Sequence, residues 1–95
     1  MRPQKNATPI AKAIRQVVTE FAEHPYDIND GRCDEFADRV CELVPDAKAV
    51  DLSWGRYGHV AHFALLWRRK WYDAEEPEGV KSWKHLPLVQ RQQSA

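Results

Sequence analysis

Behind Thr8-Pro9, the apolar residues Ile10, Ile14, Val17, Val18 and Phe21 recur every three or four positions, a spacing that lays one apolar stripe along a helix. Threonine suits an N-cap and proline the first helical position, so a first helix is expected from about Thr8 to Glu23. His24-Pro25 is expected to stop it, because proline removes a donor and restricts the residue before it. YDIND then reads as a loop. Beyond Gly31, the residues Cys33, Phe36, Ala37, Val40, Cys41 and Val44 recur at i, i+3, i+4, i+7, i+8 and i+11, a second helix closed by Pro45.

The period then drops from near 3.6 to two. In KAVDLSW, Val50, Leu52 and Trp54 alternate with smaller or polar residues, the mark of a strand with one apolar side. After the turn GRYG, the segments HVAHFALLW and WYDAE flank the polar RRK and read as a hairpin. EEPEG reads as a loop, VKSWKHLPLV as scattered packing residues, and about 1–7 and 90–95 as frayed ends. The expected fold is one α+β domain over residues 1–95: two N-terminal helices followed by a three-stranded antiparallel meander.

A chain of 95 residues, 43% of them hydrophobic, suits one core. The opening MRPQKNATPIAKAIRQVV lacks a signal-like apolar run and no segment reaches membrane-spanning length, so a cytoplasmic protein with no membrane partner is expected. In that compartment Cys33 and Cys41 would be free thiols. The fourteen basic and fourteen acidic residues cancel, which gives no support to a polyanion-binding surface. Locally the balance is uneven: residues 1–15 carry Arg2, Lys5, Lys12 and Arg15 with no acid, and residues 16–54 carry ten acids against Arg32, Arg39 and Lys48. Solvated helix surface accounts for such runs. A basic turn, Arg68-Arg69-Lys70 beside Trp67 and Trp71, is the one feature suited to nucleic acid. Charges at a hairpin tip explain it as well, and no nucleic-acid partner is expected. Cys33 and Cys41 would stand about 12 Å apart along a helix, and on a strand His59 and His62 would point to opposite faces, so no metal or other cofactor is expected.

Cys33 falls in the first turn of the second helix, where unpaired N–H groups and the helix dipole favour an anion. Asp34 and Glu35 oppose a thiolate there. Cys41 lies two turns deeper and reads as core. If the hairpin turns between Arg68 and Arg69, Ala64 faces Asp73 and His62 becomes the diagonal neighbour of Asp73 on one face, within reach of a hydrogen bond. A three-residue loop would separate the two. A carboxylate that holds one ring nitrogen leaves the other to take a proton from a thiol, so Cys33, His62 and Asp73 are the candidate catalytic residues. His59 is the rival base. His24 and His85 read as surface residues.

These residues sit in G-x-C-x-x-F-A (Gly31 to Ala37), HFALLW and WYDAEEPEGV. Together they resemble the papain-fold superfamily, in particular its compact transglutaminase-like and NlpC-type cysteine enzymes, over roughly residues 10 to 89. The resemblance implies a minimal papain-like core in which Cys33 is the nucleophile, His62 the general base and then acid, and Asp73 the orienting residue. It also implies an oxyanion hole that includes the Cys33 backbone N–H, with Asn29 either a donor to it or a cap of the helix. The implied activity is hydrolysis or acyl transfer at an amide or isopeptide bond, on a peptide, protein or other amide substrate. Trp54 and Tyr57, before the strand that bears His62, could line the substrate groove or equally belong to the core. The alternative is an inactive binding or inhibitory module of the same fold. Small single-domain proteins of this look resemble ones encoded by phages.

Overall fold

The computed structural model describes residues 8–58 and 60–93. In chain order these form α1 (Pro9–Phe21), α2 (Pro25–Gly31), α3 (Cys33–Leu43), β1 (Lys48–Asp51), β2 (Phe63–Trp67), β3 (Lys70–Asp73), β4 (Glu76–Val80) and α4 (Pro87–Gln93), with 3-10 turns at Gly55–Tyr57 and Trp83–His85. The strands make one antiparallel sheet in the order β1-β2-β3-β4. The α+β class therefore holds. Four helices stand where two were expected, and four strands where three were.

Each difference has a local cause. The first helix ends at Phe21, because Ala22 takes a left-handed conformation (φ 55°) and its N–H turns back to the carbonyls of Val18 and Thr19. His24-Pro25 then opens a helix, with Pro25 in the first turn and His24 Nδ1 accepting the Tyr26 N–H at 3.1 Å. YDIND is therefore helical: proline blocks a helix interior and suits a helix start. The expected loop EEPEG lies at the edge of the sheet as β4, where proline is tolerated. Between Trp71↔Val80 and Asp73↔Glu76 the ladder takes four steps along β4 and two along β3, an irregularity that absorbs Gly79 at φ 83°. The expected frayed end is α4 through Gln93. The strand expected over KAVDLSW ends at Asp51, and the one over HVAHFALLW starts at Phe63.

The central hairpin has the register that a two-residue turn imposes: Leu65↔Tyr72, Leu66↔Trp71 and Trp67↔Lys70. Alternation along β2 and β3 feeds two cores. Leu65, Trp67 and Tyr72 join α1 and α3 through Ile10, Ile14, Val17, Phe36 and Val40. Ala64 and Trp71 join Leu52, Val60, Leu86, Leu88 and Val89 on the other side, under α4 and the segment before it. The sheet is thus covered on both faces, with α3 packed on β1 and β2. Among the described residues, no helix is long and apolar enough to cross a membrane.

Candidate active site

In the antiparallel pair of β2 and β3, the start of one strand and the end of the other lie at the same end of the sheet. His62 immediately precedes β2, and Asp73 closes β3. Their side chains are almost fully buried, with His62 Nε2 at 3.0 Å from Asp73 Oδ2. A carboxylate only accepts, so Nε2 carries the proton. The second carboxylate oxygen, Oδ1, accepts the Glu75 N–H at 2.9 Å, which fixes the rotation of Asp73.

The first turn of α3 abuts the same end. The Phe63 N–H donates to Cys33 Sγ at 3.4 Å, so the half-buried sulfur lies against the residue that follows His62. Among the described residues, His62 Nδ1 is buried and has no well-formed hydrogen bond. The thiol and the imidazole nevertheless act on each other. Burial pushes the Cys33 thiol up, and the His62 ring together with the Phe63 N–H pulls it further down, so the net shift is below the ordinary value despite opposition from Asp34. Burial likewise works against charge on His62, but the hydrogen bond to Asp73 and the nearby Cys33 sulfur outweigh it and raise the imidazole to about 9. A loose sulfur–nitrogen contact of this kind is common before a ligand tightens it.

The first hydrogen bond of α3 that reaches beyond the helix runs from the Phe36 N–H to the Arg32 carbonyl at 3.0 Å. The N–H groups of Cys33, Asp34 and Glu35 precede it and lie at the positive end of the helix dipole. Such donors can hold an oxyanion that forms on an atom bonded to Sγ.

Asn29 does not cap α3. It belongs to α2, and the residue before Cys33 is Arg32, which makes no side-chain cap bond. The buried Asn29 amide donates through Nδ2 to Glu75 Oε1 at 2.9 Å, and its Oδ1 has no partner among the described residues. Trp54 is 68% exposed. Tyr57 packs edge-on against Trp71 and Trp83, each at 5.8 Å between centroids. Both line a depression of about 280 Å³ along β1 whose wall includes Asp51, the residue paired with Phe63. A larger depression, about 510 Å³, lies between α1, the start of α2 and the β3–β4 turn, and Glu75 is part of its wall. Neither depression is lined by Cys33 or His62, so volume alone does not mark the thiol.

Cys41 is unlike Cys33: its thiol donates to the Ala47 carbonyl at 3.5 Å, and burial raises it. His24 and His85 are on the surface. His59, the rival base, lies outside the described residues. The sequence reading did not single out Glu75, Arg91 or Gln92. Arg91 forks onto Glu75 with bonds of 2.7 and 3.0 Å, and Gln92 Oε1 accepts the Ala61 N–H at 3.2 Å. Position relative to Asp73 could have flagged Glu75, but nothing local marks the other two. No family model, curated protein or solved structure matches the chain.

Proposed function

We propose that the chain is a papain-like cysteine hydrolase or acyltransferase acting on an amide or isopeptide bond. One observation carries this reading: the buried His62–Asp73 pair, with Nε2 engaged, beside a half-buried thiol held below its ordinary pKa. Cys33 passes its thiol proton to His62 Nδ1, Sγ attacks the carbonyl carbon, a C–S bond forms, and the carbonyl π electrons move to the oxygen, where the first-turn N–H groups of α3 hold the charge. Collapse breaks the C–N bond, and the leaving amine takes the His62 proton. Water or an acceptor amine then attacks the thioester, His62 takes a proton back, and the thiolate departs with the electron pair of the C–S bond. Trp54, exposed beside the depression along β1, is the candidate contact for the acyl side of the substrate.

The test is iodoacetamide labelling at about pH 6, where an ordinary thiol is almost wholly protonated, with each cysteine followed by peptide mass spectrometry. Cys33 is expected to label markedly faster than Cys41, because its surroundings lower one thiol while burial raises the other. His62→Ala should abolish the difference. An activated ester should in addition leave an acyl group on Cys33 and none on Cys33→Ser. Equal, slow labelling with no acylation overturns the proposal and leaves a binding module of this fold.

A further inference from the structure

Three segments carry the candidate triad, and α4 touches the support of each. Ahead of Cys33, the Asn29 amide of α2 is held by Glu75, and the Arg91 guanidinium lies over the ring of Tyr26 in the same helix at 4.4 Å. Ahead of His62, the Ala61 N–H is bound by Gln92. Behind Asp73, Glu75 gives its N–H to the Asp73 carboxylate and its own carboxylate to the Arg91 fork.

We infer that Arg91, acting through Glu75, is a positioning residue of this site, and that α4 is the clamp holding its three segments in register. The inference rests on the enzymatic reading above. Anchorage of the helix does not require these contacts, since Leu88 and Val89 already bury its apolar side in the core. The polar side instead grips Glu75, whose backbone sets one oxygen of Asp73 while its side chain sets Asn29. With the fork removed, the 73–76 turn is free to rotate and Oδ2 drifts from His62 Nε2. A displacement of about 1 Å from such a remote change can cost on the order of a hundredfold in rate. The charged groups that face His62 are Cys33 from α3 and Asp73 from β3, and Asp34 of α3 acts on Cys33. Those that face Glu75 are Arg91 from α4 and His24 from the start of α2.

The experiment compares the pH dependence of iodoacetamide labelling at Cys33 in the wild-type chain, Arg91→Ala, Arg91→Lys and Leu88→Ala, with urea unfolding of each. Arg91→Ala is expected to slow labelling at about pH 6, by moving the thiol midpoint up toward its ordinary value. Arg91→Lys keeps the charge without the fork and should recover part of that loss. Leu88→Ala, which loosens the same helix from its apolar side, should lower stability and leave the midpoint in place. The clamp is overturned if Arg91→Ala keeps the wild-type profile, or if Leu88→Ala moves the midpoint as far, which would make the effect one of general stability. Either result leaves the enzymatic reading standing. That reading falls if wild-type Cys33 labels no faster than Cys41, and the clamp falls with it.

Discussion

Cys33 and Cys41 stand eight residues apart on one helix, and their thiols are pushed in opposite directions. Sequence type cannot account for this. Cys33 meets an imidazole and a backbone N–H at a helix start, whereas Cys41 meets a carbonyl and burial. A single atom has similar weight at Gly79. A Cβ built there would lie 2.6 Å from the Tyr72 ring, at a backbone φ of 83° that L side chains rarely adopt. The ring cannot swing clear, because it is buried and packs edge-on against Trp67 with centroids 6.2 Å apart. Gly79→Ala should therefore destabilise the fold by about 1–3 kcal/mol, from overpacking and left-handed strain together. Urea unfolding would show this as a lower midpoint at unchanged slope, and an unaltered midpoint would refute it.

Among the elements, the β2–β3 turn is the one most at odds with its residues. Both Arg68 and Arg69 have positive φ, 48° and 69°, in a two-residue turn whose preferred pair is Asn-Gly. Left-handed backbone costs an ordinary residue about 1–2 kcal/mol. Against that stands the Arg68 guanidinium over the Trp67 ring at 4.2 Å, a contact of about 0.5–1 kcal/mol at an exposed site. The strain is the larger effect, so replacing Arg68-Arg69 by Asn-Gly should stabilise the protein by about 1 kcal/mol, measured as a higher thermal midpoint. A lower midpoint would show that the cation–π contact outweighs the strain. Elements with a strong period, α1, α3 and the central hairpin, were legible in the sequence. The helix α2 was missed because Pro25 carries the same letter whether it ends one helix or begins the next. The strand β4 was missed because Glu, Pro and Gly argue against a strand everywhere except at an irregular sheet edge, and α4 because its apolar side spans only two turns.

At the scale of the whole molecule, the His62–Asp73 juxtaposition was legible because hairpin parity fixes which residues share a face. The Glu75 hub was not, since Asn29 and Arg91 reach it across 46 and 16 residues and no local pattern encodes that meeting. The hub makes the assembly sensitive to acid. The Arg91 fork, against some loss from burial and with help from Asn29 and nearby His24, holds the Glu75 carboxyl below its ordinary 4.5. A carboxyl with a depressed folded pKa contributes stability that is fully present above 4.5 and lost as pH falls through the folded value. Arg91 is 38% exposed in its side chain and Glu75 17%, so water screens the fork on one side and the charge is worth about 1 kcal/mol at pH 7. Glu75→Gln, which keeps the shape and removes the charge, should therefore be about 1 kcal/mol less stable than wild type at neutral pH, a gap that closes as pH falls below 4.5. Urea unfolding of both chains at about pH 7 and at successively lower pH, while unfolding stays cooperative, would reveal the closing gap. A gap that persisted undiminished into acid would mean that packing, and not charge, makes Glu75 the joint between α2, the β3–β4 turn and α4.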